Sequence, residues 1–222
     1  ITWALDSLQL PTSSYINEGE PGTLSTSQKT KIIMGLAAVL KAGNRKELLD
    51  FSKELEQLIE VIELLLEKGG ALQRASVMKL CGRIGIVFLP PKVHKSWHYH
   101  KQTSSLLDNL NTATGIITKN TNQESPNEEG DDDEELDEFT SEITEQLIGI
   151  LLQGVKDLDT KVRWSSARRI SYLAARLPKG FADQLIECTL DLFSPLEEDG
   201  AWHGACLVLA EMSRKGVLID KR

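Results

Sequence analysis

Aromatic residues make up 5% of this chain, and no apolar run reaches the roughly 18–20 residues that a bilayer-spanning helix needs. The greasiest stretch, Leu58 to Leu66, is broken by Glu60 and Glu63, so no membrane insertion is expected. Cysteine is scarce as well. Cys81, Cys188 and Cys206 are odd in number and far apart, each within an apolar helical pattern. They read as buried, reduced thiols of a cytosolic protein rather than as a disulfide framework. Basic residues are missing altogether from Asn120 to Val155, where twelve of the 33 acids fall; the remaining 21 acids face 25 bases. The net charge of −8 therefore belongs to one segment, and the rest of the chain is slightly basic. Such an acidic segment repels phosphate and no Lys/Arg-rich run balances it, which disfavours nucleic acid as a partner. Also absent are GxxxxGK[ST], GxSxG, HExxH and paired CxxC motifs, so no catalytic residue and no cofactor are expected.

What is present is helical periodicity, with almost no strand signal. The clearest stretch runs from Asp157 to Leu177 (DLDTKVRWSSARRISYLAARL). Asp159 or Thr160 can accept from the free amides of a helix start, and Val162, Ala167, Ile170, Leu173 or Ala174, and Leu177 recur as one buried stripe. A related pattern follows at Ala201 to Ser213, where Trp202, Ala205 and Val208 stand 38 residues after Trp164, Ala167 and Ile170. A weaker copy lies at Gln73 to Ile86, with Arg74 placed 89 residues before Arg163. These offsets approach one and two units of a helix-pair repeat of roughly 40–47 residues. The expected fold is an all-α, HEAT/armadillo-like solenoid of about four helix pairs, in which each repeat needs neighbours to cover its apolar face. The chain starts and stops in mid-pattern, as a slice of a longer solenoid would.

Taken in order, residues 1–110 read as helical repeats, 111–138 as a disordered acidic insertion, and 139–222 as further repeats of the same solenoid. Helices are predicted at about Thr26 to Lys41, Arg45 to Lys68, Gly70 to Leu89 and Val93 to Leu110. Beyond the insertion they are predicted at Phe139 to Val155, Thr160 to Leu177, Phe181 to Phe193 and Gly200 to Arg214. Gly43-Asn44 suits a left-handed helix end, and Pro90-Pro91 a full stop.

Three groups of residues are candidates for more than packing. Arg163 stands where a guanidinium at a helix start reaches carboxylates and free carbonyls in adjacent turns, tying repeat to repeat. Trp164 and Trp202 share one repeat position and are expected to fill equivalent niches between repeats. Ser165, Arg168 or Arg169, Tyr172 and Arg176 fall roughly opposite the buried stripe; this basic, aromatic face is either merely solvated or a contact for an acidic partner. His94 and His98 form an HxxxH pair, with His100 nearby, but no cysteine or carboxylate close in sequence completes a zinc set, so no metal site is expected.

The run from Lys156 to Leu218, with its VRWS–AR–I–LAARLP and AWHG–C–LAE helices, resembles the tubulin-folding cofactor D family of HEAT/armadillo-repeat chaperones. Leu72 to Leu106 is similar to the same family, and Thr2 to Leu64 more weakly so. The resemblance implies a non-enzymatic scaffold that takes β-tubulin from the cytosolic chaperonin. It also implies partnership with the other tubulin-folding cofactors and an Arf-like small GTPase in assembling or dissociating the αβ-tubulin heterodimer. A GTPase-activating role in that complex, in the cytoplasm at the microtubule cytoskeleton, belongs to the same implication. The alternatives are a HEAT-repeat adaptor or transport scaffold of another class, and a metal-dependent enzyme built on His94 and His98.

Overall fold

A computed structural model describes residues 1–9, 24–92 and 136–218, and among them there are nine helices and no β-strand. The expected fourth helix, the three histidines around Trp97 and most of the acidic insertion lie outside the described residues. α1 covers Thr2–Gln9 and α2 Thr26–Ala42. Ser25 and Gln28 close the start of α2 reciprocally: the Gln28 amide donates to Ser25 Oγ at 3.2 Å and the Ser25 amide to Gln28 Oε1 at 2.8 Å. The next periodic segment breaks in two, α3 (Arg45–Leu49) and α4 (Ser52–Lys68). Its apolar stripe is buried at Leu48, Leu55, Leu58, Ile59, Ile62 and Leu65, while Phe51, at the break, is exposed. Gly43 is extended (φ −71°) rather than left-handed, and Asn44, itself extended, immediately caps α3.

α5 (Ala71–Phe88) is followed by Pro90-Pro91. α6 spans Glu138–Val155 behind an Asp137 cap, and α7 Thr160–Ala174 behind Asp159, whose Oδ1 accepts from the Lys161 amide at 2.8 Å. α8 (Lys179–Asp191) and α9 (Asp199–Arg214) complete the set. Apart from Lys92, the described residues belong to one compact unit made of Ile1–Pro91 and Glu134–Arg222.

The helices pair in sequence as α1–α2, α4–α5, α6–α7 and α8–α9, with α3 as a short prelude to α4. The second helices stack side by side in the order α2–α5–α7–α9, and α1, α4 and α6 follow one another beside them. Two parallel layers with a continuous strip of core between them is the α-solenoid arrangement. Val162, Ala167, Ile170 and Leu173 of α7 are fully buried in that strip, together with Leu80 and Ile84 of α5, Leu147 and Leu151 of α6, and Ala205 and Val208 of α9. At about 25 cal/mol per Å² of apolar surface, burial of such large aliphatic side chains contributes about 2 kcal/mol apiece. Cys81 lies within the core, where burial pushes its thiol up to about 12; Cys188 and Cys206 are exposed, contrary to the expectation of three buried thiols.

Candidate functional site

The polar side of α7 is shaped by its neighbour α5. At Gly82 a methyl group would stand 2.6 Å from Arg169 Cβ, and the missing side chain is what lets Arg169 lie along the α5 backbone. The Ser165 hydroxyl donates to the Ala75 carbonyl at 2.9 Å, and Arg176 Nη1 to those of Ile86 (3.0 Å) and Leu89 (3.4 Å). Arg45 reaches the same helix end from the other side, its Nε and Nη2 each 2.8 Å from the carbonyls of Val87 and Phe88. Two guanidiniums thus satisfy the free carbonyls of α5 and complement the negative end of its dipole. Burial, then the nearby Arg45 charge, pulls the Arg176 pKa below its ordinary value.

The face expected to point away from the core therefore divides. Ser165, Arg169 and Arg176 turn onto α5, with Arg169 7% exposed, and Arg168 and Tyr172 stay partly open. Sequence spacing could not reveal this, because the space Arg169 occupies is made by a glycine 87 positions earlier.

Around Tyr172 the positive charge is dense. Lys215 Nζ sits 3.7 Å from the ring centroid and the Arg169 guanidinium carbon 5.5 Å, while Arg168 stacks over Trp164 at 5.4 Å. Burial lowers the Arg169 pKa, and the charges of Arg83 and Arg168 lower it further. Burial would raise the Tyr172 phenol, but Lys215 and Arg168 outweigh it and bring the pKa below its usual value. The Nε groups of Arg168 and Arg169 are buried and meet no acceptor among the described residues. Arg83 and Lys215 escaped the sequence reading: one lies on α5 and the other just after α9, and neither belongs to a recognisable pattern.

At the start of α7, Arg163 donates to the carbonyls of Asp157 (2.6 Å) and Leu158 (2.9 Å), to Thr160 Oγ1 (2.8 Å) and to His203 Nδ1 on α9 (3.2 Å). Asp157 holds Arg74 of α5 through two bonds, 2.7 and 2.9 Å, and accepts the Asp159 amide. Burial by itself would raise the Asp157 carboxyl, but Arg74, the Asp159 amide and Arg163 together hold it below the usual carboxylate range. The Lys156–Glu197 ion pair joins this loop to the one before α9.

Trp164 and Trp202 are not buried in matching niches. They are 47% and 44% exposed, Trp164 under Arg168 and Trp202 edge-on to Phe193 with its Nε1 donating to the Ser194 carbonyl at 3.0 Å. Nearby, α9 lies close on the end of α6: a methyl on Gly204 would stand 2.1 Å from the Val155 carbonyl oxygen. Both rings are left at the rim.

Among the described residues no group of three or more His, Cys, Asp or Glu side chains could hold a metal ion, and no helix is long and apolar enough to cross a membrane. A groove of about 220 Å³ between α4 and α6 is lined by Ile59, Glu60, Glu63, Gln146, Ile150 and Gln153, with no nucleophile beside a base.

Residues 72–222 match the family model described as tubulin-specific chaperone D-like, ARM repeats. The chain is similar to the tubulin-specific chaperone D of Dictyostelium discoideum, 34% identical over 198 residues, which is 84% of this chain and 13% of that protein. It is also similar to the tubulin-folding cofactor D of Schizosaccharomyces pombe, 25% identical over 206 residues, 86% of this chain and 17% of that one. The chain thus spans between about an eighth and a sixth of the length of these curated relatives. No solved structure matches significantly.

Proposed function

The chain belongs to the tubulin-specific chaperone D-like family, and from that premise we propose that it is a stretch of scaffold in a tubulin-folding chaperone. In this reading the protein binds β-tubulin and partner cofactors during assembly or dissociation of the αβ-tubulin heterodimer. An Arf-like small GTPase joins that assembly, and stimulation of GTP hydrolysis arises in the complex. The protein acts in the cytoplasm, at the microtubule cytoskeleton, and brings surfaces rather than reagents.

The observation that carries the reading is the family match over residues 72–222, a span that takes in α6 to α9 and all but the first residue of α5. The open rows of charge and aromatic rings on α7 are compatible with it, since interfaces favour Arg, Tyr and Trp. The test is retention on affinity resin: the complete protein is expected to hold tubulin, and the Arf-like GTPase with it. Retention of neither overturns the assignment and leaves a HEAT-repeat adaptor of another class.

A further inference from the structure

We propose that the row Trp164–Arg168–Tyr172, together with Arg83, Arg169 and Lys215, is a docking strip for an acidic, extended polypeptide segment. The proposal deepens the scaffold reading and rests on it for its biological partner. Its first support is charge without compensation. Arg83, Arg168, Arg169 and Lys215 converge from α5, α7 and the residues after α9. None of the four makes an ion pair among the described residues. Glu211, the carboxylate facing Arg169, is already held by Arg214. Gathering like charges costs free energy unless an anion joins them.

The second support is the unused donor at the centre. Arg169 is 93% buried, its exposure being 7%, yet its Nε meets no acceptor, and the Arg168 Nε is in the same state. Buried donors are ordinarily paired, and a guanidinium is shaped to take a carboxylate.

The third is that stacking does not require these side chains. One repeat later, α9 carries Cys206, Leu207 and Ala210 at the places of Arg168, Arg169 and Tyr172, while the inward Ala205 and Val208 stay as buried as Ala167 and Ile170. Shape then separates a peptide from a lone phosphate. From Trp164 to Tyr172 is two helical turns, about 12 Å. Four residues of extended chain cover that length, laying alternate acids against the cations and main chain over the half-open Trp164 ring.

The test is fluorescence anisotropy of a labelled deca-glutamate peptide titrated with the complete protein. Arg168→Gln/Lys215→Gln is expected to weaken binding at least tenfold, and Arg83→Gln severalfold. Lys161→Gln, an exposed lysine on the first turn of the same helix, is expected to change it less than twofold. Arg169 is left untouched because it is packed, and unchanged thermal unfolding confirms that each variant is folded. Equal affinity for wild type and the double variant overturns the strip, as does equal loss in Lys161→Gln, which would mean diffuse charge attraction. Displacement of the peptide by low-millimolar inorganic phosphate also overturns it, in favour of a phosphate site. Tubulin retention measured in parallel decides the scaffold reading separately: peptide bound without tubulin sinks that reading and leaves the strip intact.

Discussion

α7 has a neighbour on each side and meets the two by different means. Toward α5 several polar contacts join the apolar packing of Leu173 on Gly85: Ser165 and Arg176 reach backbone carbonyls, Arg169 lies over Gly82, and Asp157 ahead of the helix holds Arg74. Toward α9 polar contacts are fewer, Arg163 to His203 being one, and Ala167, Ile170, Ala205 and Val208 are all fully buried, while Gly204 draws α9 onto Val155 at the end of α6. A guanidinium bonded to particular carbonyls fixes register, because sliding by one residue leaves both partners unsatisfied. Small residues fix distance but say little about register. The solenoid thus uses one seam to set where a helix lies and the other to set how near.

A methyl group added at Gly82 probes the seam of α7 with α5, and one added at Gly204 probes the close approach of α9 to the end of α6. In Gly204→Ala the new atom meets the backbone oxygen of Val155 at 2.1 Å, and backbone cannot step aside without moving α6 or α9. Loss of about 4 kcal/mol in chemical denaturation is expected, above the usual range for overpacking. In Gly82→Ala the atoms met belong to the Arg169 side chain, whose outer part can swing away although its Cβ cannot. About 3 kcal/mol is expected there. Equal losses would mean that the polar seam is as rigid as the backbone contact between α9 and α6.

Arg74→Ala attacks the polar seam from its end. It leaves Asp157, with 13% of its side chain exposed, without its two-bonded partner, at a cost of about 2.5 kcal/mol. The effect carries a pH signature. The folded pKa of Asp157 is depressed, so the unfolded state binds the proton more readily and stability rises with pH across the interval between the two values. The contribution is complete above the unfolded value of about 3.9 and is lost as pH falls through the lower, folded one. Asp157→Asn should therefore flatten the acid limb of the stability curve below about pH 4 and leave its neutral part lower. An acid limb as steep as that of the wild type would detach Asp157 from it.

The comparison also shows which features a linear sequence discloses. Spacing alone identifies the inward row of α7, since every member from Val162 to Leu177 is buried, and side-chain caps such as Asp159 sit where their chemistry places them. Those signals are local, and helix geometry translates them directly. The break at Asp50-Phe51 carries neither glycine nor proline, so nothing local announces it. The inward turn of Arg169 and Arg176 depends on the backbone of α5, and the cation cluster at Tyr172 depends on Arg83 and Lys215 from two other parts of the chain. Polar residues change face according to what the neighbour leaves open. Apolar ones have one face to go to.

The tryptophans give the smallest effect and the finest distinction between the seams. Had Trp164 and Trp202 filled matching niches between repeats, each truncation to alanine would cost about 3–5 kcal/mol. At the rim they lose less, and unequally. Trp202 gives up an edge-on ring contact with Phe193, 6.3 Å between centroids, and a hydrogen bond to the Ser194 carbonyl, about 2 kcal/mol together. Trp164 gives up the stacked Arg168 guanidinium and half its apolar contact, about 1 kcal/mol. Denaturation of the two single variants beside the wild type measures both. Trp202→Ala should be the less stable, and Trp164→Ala should instead be felt where Arg168 meets a ligand, because the ring that orients that guanidinium is gone. A Trp164→Ala loss above 3 kcal/mol would return the indole to the interior and remove the open end of the strip.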